Sequence, residues 1–199
     1  KALASHFPEE SFLYLGDTAR LPYGTKSPET IRKYSEQVMN YLITRKVKAL
    51  VIACNTASSQ VNETHWQNIP VYTVIEPGSV KALSVTQNGR IGVLGTRATI
   101  QSEMYPQFIH ALAKHQSRKV EVLSQACPLF VPFAEEGLID DPLTNLIAFR
   151  YLQPLLSQQI DTVILGCTHY PLLKTSLQRV CGNEVTLVDS GTAMCERLQ

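Results

Sequence analysis

Apolar and polar positions along the chain follow two rhythms that take turns. Short runs rich in β-branched and apolar residues, at 11–16, 49–53, 71–75, 90–95, 120–124, 162–166 and 185–188, read as strands. Between them the apolar residues recur at helical spacing. Ser27 is a plausible N-cap with Pro28 at the first helical position, and that helix runs to about Arg45. Further helices are predicted over 57–66, from Glu76-Pro77-Gly78 onward, over 99–115 with Pro106 kinking or breaking it, over 142–157 with Pro154 straining its last turn, and over 171–180. Residues 17–25 form a loop broken by Pro22 and Gly24, and 127–137 a loop with room for one helical turn. Strict alternation of this kind predicts an α/β fold of parallel sheets with helices on both faces.

Two of the strand ends repeat one another. Leu50-Val-Ile-Ala-Cys-Asn-Thr-Ala-Ser-Ser59 and Val163-Ile-Leu-Gly-Cys-Thr-His-Tyr-Pro-Leu172 each run from a buried strand through a cysteine into small polar residues that open a helix. The repeat predicts two similar lobes, each a mostly parallel sheet flanked by helices, with the active site in the cleft between them. The boundary is expected near Val85–Gly89, giving a first lobe of 1–86, to which 189–199 returns, and a second of 87–188. Ligands of open α/β sheets bind at the carboxyl ends of strands, where Cys54 and Cys167 stand.

The 199 residues are 44% hydrophobic and 18% charged, with formal net charge +1. No run of one sign advertises nucleic acid, and no apolar stretch is long enough to span a membrane. Cysteine stands at 54, 127, 167, 181 and 195, an odd number with no CxxC pair, so a disulfide framework and a structural metal site are both poorly supported. Reduced thiols in the cytoplasm are the simpler reading. The sequence leaves the oligomeric state open, with a homodimer among the assemblies it allows. Both ends look cut: residues 1–7 have helical spacing without a cap, and 196–199 stop inside a helical pattern.

Cys127, Cys181 and Cys195 read as small buried hydrophobes. Cys54 and Cys167 read as functional, because each is expected beside free backbone N–H groups at a helix start, a field that lowers a thiol's pKa. One such thiol could serve a hydrolase or isomerase as nucleophile. Two in equivalent places fit racemisation, one thiolate removing a proton from one face of a carbon while the opposite thiol protonates the other. Asn55-Thr56 and Thr168-His169 could hold a carboxylate, or simply cap. His169 could orient or protonate Cys167. Asp17 is as readily a cap or a surface carboxylate, Pro22-Tyr23-Gly24 turns the chain, and Glu135 and Glu136 form a charge pair of the kind that is usually solvated. No dinucleotide or P-loop glycine pattern is present in the sequence.

Asp17-Thr-Ala-Arg-Leu-Pro-Tyr-Gly24, Ala53-Cys-Asn-Thr-Ala-Ser58, Cys127-Pro-Leu-Phe-Val-Pro132 with Glu135-Glu136-Gly137, Gly166-Cys-Thr-His-Tyr-Pro171 and Val188-Asp-Ser-Gly191 together resemble the glutamate racemases of the aspartate/glutamate racemase superfamily, over nearly the whole chain. The resemblance implies a two-lobed α/β enzyme that needs no cofactor and no metal, interconverts L- and D-glutamate, and supplies the D-isomer for peptidoglycan. It implies Cys54 and Cys167 as the two acid/base residues, with Tyr23, Gly24, Asn55, Thr56, Thr168 and His169 on the substrate. His169 and a carboxylate at Glu135 or Glu136 would assist Cys167. A racemase for aspartate or another amino acid, and a module that only binds, are the rival readings. One departure stands out. The family opens with a strand and an Asp-Ser-Gly whose Asp assists the first cysteine, and no such segment precedes Lys1 in this sequence. Asp189-Ser190-Gly191 matches a later family motif. The expectation is therefore a first sheet lacking a strand, an unstable edge there, and an inactive chain.

Overall fold

The computed structural model describes residues 2–199. Its first sheet has three strands, β1 (Leu50–Ile52), β2 (His65–Trp66) and β3 (Ile69–Thr73), in the order β1-β3-β2, with β1 parallel and β2 antiparallel to β3. The second has four parallel strands, β4 (Arg90–Gly95), β5 (Glu121–Ala126), β6 (Thr162–Gly166) and β7 (Thr186–Asp189), in the order β5-β4-β6-β7. Ten α-helices connect or flank the described strands: α1 (Ala2–His6), α2 (Pro28–Thr44), α3 (Asn55–Ser58), α4 (Ile75–Val85), α5 (Arg97–Gln101), α6 (Met104–His115), α7 (Phe130–Glu135), α8 (Pro142–Leu156), α9 (Lys174–Cys181) and α10 (Ser190–Leu198). None is long and apolar enough to cross a membrane.

Every residue of β6 is buried, as a strand covered on both faces requires. On one face Leu94, Val163 and Leu165 pack with Phe130, Ala148, Leu152 and Leu177 from α7, α8 and α9. On the other, Ile91, Val93, Ile164 and Val188 pack with Ile75 and Ala82 of α4 and Tyr105 and Ile109 of α6. So α4, which follows β3 of the first sheet in the chain, covers the second sheet. The last helix, α10, lies against α4, where Lys81 Nζ is 2.9 Å from Glu196 Oε1. The first sheet has a smaller core, Leu50, Val61 and Val71 against Met39 of α2.

Four expected elements come out differently. Residues 11–16 form no strand. The segment has no ladder neighbour, because β1 pairs only with β3, and Phe12, Leu13 and Tyr14 are 50%, 54% and 89% exposed. An open pocket of about 410 Å³ is lined by Leu13–Leu15 together with Val38 and Tyr41 of α2. The helix expected over 57–66 shrinks to α3. Ser58 Oγ donates to Ile52 O at 2.9 Å and accepts from Val74 N at 3.4 Å, tying that turn to the sheet. Trp66 then enters a hairpin whose turn residues Gln67 and Asn68 have φ of 46° and 69°. The helix over 99–115 does break, but at Glu103, with φ 54°, so that Pro106 falls in the first turn of α6, where its missing N–H costs nothing. After Cys167 the chain makes a 3₁₀ turn, Tyr170–Leu173, before α9 begins.

Candidate active site

Each candidate thiol leaves a parallel strand at its carboxyl end. Cys54 follows β1 and stands at the N-cap position of α3; Cys167 follows β6. Gly166 is required here: a Cβ at that position would lie 2.5 Å from the carbonyl oxygen of Leu94. Ala126 of β5 and Gly166 of β6 are both in register with Gly95 of β4, so Cys127 and Cys167 leave the sheet on the same rung, one strand apart on either side of β4.

Burial pushes the Cys167 thiol up to about 12, and the charge of Cys54 pushes the same way. The N–H groups of His169 and Tyr170 and the Thr168 hydroxyl pull it down. Burial also raises Cys54, against the N–H groups of Ala57 and Thr56 and the Thr56 hydroxyl. The backbone donors thus act in the expected direction, but the expected lowered pKa values are overturned. The helix after Cys54 has four residues and the turn after Cys167 another four, too little dipole to offset desolvation.

Cys167, His169 and Glu135 form a short chain of contacts. His169 Nδ1 is 3.9 Å from Cys167 Sγ, and His169 Nε2 is 3.3 Å from Glu135 Oε1. Glu135 closes α7, and Glu136 is the exposed residue after it. Thr168 is exposed beside the thiol.

The first-lobe candidates form a second group. The charge of Cys54 is felt at Tyr23, whose phenol is held in its protonated form by burial and by a hydrogen bond donated to Asp17 Oδ2. Burial draws the Asp17 carboxyl up, but hydrogen bonds from Arg20 and Tyr23 and the Arg20 charge hold it below its ordinary value. Gly24 abuts α5 so closely that a Cβ would lie 2.6 Å from Thr96 Cβ.

Asn55 and Thr56 are buried and tied across the lobes. Tyr105 Oη donates to Asn55 Oδ1 at 2.6 Å, and Asn55 Nδ2 donates to Ser190 Oγ at 3.3 Å. The Thr56 hydroxyl lies 2.9 Å from that of Thr96 and 3.2 Å from that of Thr99, which are themselves 3.0 Å apart. Sequence reasoning did not single out Thr96, Thr99 or Tyr105, and reached Ser190 only as part of the Asp189-Ser190-Gly191 motif. Thr96 carried a signal as a cap, three residues before Thr99, whose N–H it accepts at 3.2 Å. Tyr105 carried none, because a buried tyrosine on a helix looks like core.

The family model described as Asp/Glu/Hydantoin racemase matches residues 1–198. A glutamate racemase of Geobacter metallireducens is 50% identical over 192 residues, 96% of this chain and 70% of that protein. Among solved structures, glutamate racemase isoform RacE1 of Bacillus anthracis superposes with a TM-score of 0.91 at 38% identity, over 99% of this chain and 75% of that one. The Francisella tularensis glutamate racemase, solved in complex with D-glutamate, gives 0.90 at 38% identity, over 99% of this chain and 72% of its own.

Proposed function

The chain belongs to the Asp/Glu/hydantoin racemase family, and from that membership we propose how its residues interconvert L- and D-glutamate. No cofactor enters the scheme. One thiolate, Cys54 or Cys167 according to the enantiomer bound, takes the α-proton. An S–H bond forms, the Cα–H bond breaks, and its electron pair spreads into the α-carboxylate. The opposite thiol then gives its proton to the other face of the carbon and is left as thiolate. The reverse reaction restores the starting pair. The single observation that carries this reading is the pairing of two thiols at the carboxyl ends of parallel strands in different sheets, Cys54 after β1 and Cys167 after β6.

Raised thiol pKa values suit the task. They make thiolate scarce near neutral pH but make each thiolate formed a stronger base toward a weakly acidic C–H. The His169–Glu135 pair takes or returns the proton of Cys167. Thr168, the Thr56 hydroxyl and the N–H groups at the start of α3 receive the substrate carboxylates, Asn55 contributing through its backbone while its amide holds the lobes in register. Tyr23 and Gly24 close the site from the 17–25 loop. The D-glutamate made supplies peptidoglycan, in the cytoplasm.

Replacing the cysteines singly tests the scheme. Cys54→Ser and Cys167→Ser should each lose racemisation by about 10³-fold or more, within the span general acid–base catalysis covers. Each should still eliminate chloride from one enantiomer of 3-chloroglutamate, because elimination needs one base. A Cys54→Ser variant that racemises at the parental rate would sink the two-base reading.

A further inference from the structure

A single side chain meets the immediate neighbours of both thiols. Tyr105, the second residue of α6, is 1% exposed and packs in the core with Ile75, Ile91 and Ile164. Its hydroxyl donates to Oδ1 of Asn55, the residue after Cys54, at 2.6 Å. Its ring is seated against Gly166, the residue before Cys167, where a Cβ would lie 3.2 Å from Tyr105 Cε2. Gly78 of α4 leaves room for this arrangement: a Cβ there would be 3.3 Å from Tyr105 Oη and 3.5 Å from Ser190 Cβ.

The hydroxyl also heads a chain of donors that runs one way. Asn55 Nδ2 donates to Ser190 Oγ at 3.3 Å, and Ser190 Oγ donates to the carbonyl oxygen of Leu165 at 3.5 Å, two residues before Cys167. Two routes thus lead from the Cys54 side to the Cys167 side, one through the ring to Gly166 and one through Ser190 to Leu165, and both begin at Asn55. A packing role alone would be served by phenylalanine, because a buried hydroxyl must be bonded to offset its desolvation. The bond to Asn55 does more than fill space. It fixes which end of that amide faces Ser190.

We propose that Tyr105 is a positioning residue that sets the spacing of the two thiols, with its ring on the Cys167 side and its hydroxyl on the Cys54 side. This rests on the two-thiol reading of the site. Spacing matters more for racemisation than for a one-base reaction. Racemisation needs one carbon within reach of both sulfurs, and a displacement of about 1 Å can cost about 10²-fold. Elimination from 3-chloroglutamate needs one sulfur. The Cα–H bond breaks as S–H forms, the C–H electron pair becomes the Cα=Cβ bond, and chloride leaves with the C–Cl pair.

The ratio of the two rates is therefore a gauge of spacing. Both are measured on the full chain, racemisation by circular dichroism of glutamate and elimination by chloride release. Tyr105→Phe keeps the ring and frees the Asn55 amide. It should lower racemisation by about tenfold and elimination by less than about twofold. Ser190→Ala, which removes the other partner of the amide, should lower the ratio in the same sense. Ile109→Val, one turn along α6 and fully buried, should lower the melting temperature and leave the ratio unchanged. A ratio in Tyr105→Phe equal to that of the parent overturns the proposal, as does an equal fall in Ile109→Val. Cys54→Ser and Cys167→Ser, run alongside, separate the two failures. If both lose racemisation and keep elimination, the two-thiol reading stands and only the role of Tyr105 is lost. A parent chain with neither activity overturns both.

Discussion

At Cys167 burial outweighs every donor aimed at the sulfur, and the thiol keeps its proton far above the ordinary range, to about 12. Raised groups of this kind bind their proton longer as pH rises, so thiolate chemistry should begin late. Alkylation of Cys54 and Cys167 by iodoacetamide, followed by peptide mass spectrometry, should be slow near pH 8 compared with a free thiol of ordinary pKa about 8.5, and should still be accelerating above pH 9. A plateau already reached at pH 8 would contradict the buried, neutral thiols. His169 gives a second expectation. His169→Asn should lower kcat/KM by about 10²-fold. The fall must be equal in both directions, since the enantiomers have the same free energy; an undiminished rate would remove His169 from the relay. The sequence made Cys54, Cys167 and His169 legible because strand end, thiol and polar neighbours are contiguous. It did not make the sign of the thiol shifts legible. The N–H donors are local, but the desolvation that beats them comes from packing by residues far along the chain.

Between elements, one close seam is that where Gly24 meets Thr96. A methyl group added at Gly24 would overlap the Thr96 side chain at 2.6 Å, and the second carbon of that side chain lies at 2.8 Å. Gly24→Ala should therefore push the 17–25 loop off α5, at a cost of about 1–3 kcal/mol. It should raise KM for glutamate more than it lowers kcat, because it moves Tyr23 and not the thiols. An unaltered melting temperature and KM would show that the seam can open freely. A tyrosine hydroxyl provides the matching test inside the protein: Tyr105→Phe leaves buried Asn55 Oδ1 without its donor and should cost about 1–3 kcal/mol, read by urea unfolding. Element types were readable wherever local signals agreed, as at Ser27-Pro28 and over the whole of β4. They failed where the deciding partner was remote. Residues 11–16 have the composition of a strand and no strand beside them. Trp66 reads as the end of a helix from its own neighbourhood, and the left-handed turn at Gln67 and Asn68 makes it a hairpin strand instead.

Across the whole molecule, buried acids that are neutral when protonated accumulate. Burial raises Cys54, Cys127, Cys167 and Cys181, and also the phenols of Tyr23, Tyr105 and Tyr170. In the unfolded chain these groups lose their protons near about 8.5 for thiols and about 10 for phenols. The unfolded state therefore sheds protons first, and stability falls as pH rises through that interval. Below it the contribution is complete. The melting temperature should be level between pH 7 and 8 and drop steeply above pH 9; a level profile to pH 11 would mean that these side chains are better hydrated than their burial indicates. The shared rung of Cys127 and Cys167 has a redox consequence. Two strand spacings, about 9.6 Å, separate their backbones, beyond what a disulfide can bridge without breaking the sheet. Peptide mapping after mild peroxide should find no Cys127–Cys167 crosslink. A sulfenic acid formed at Cys167 has no resolving thiol on its own sheet, and its repair falls to a small-molecule thiol before further oxidation makes it permanent.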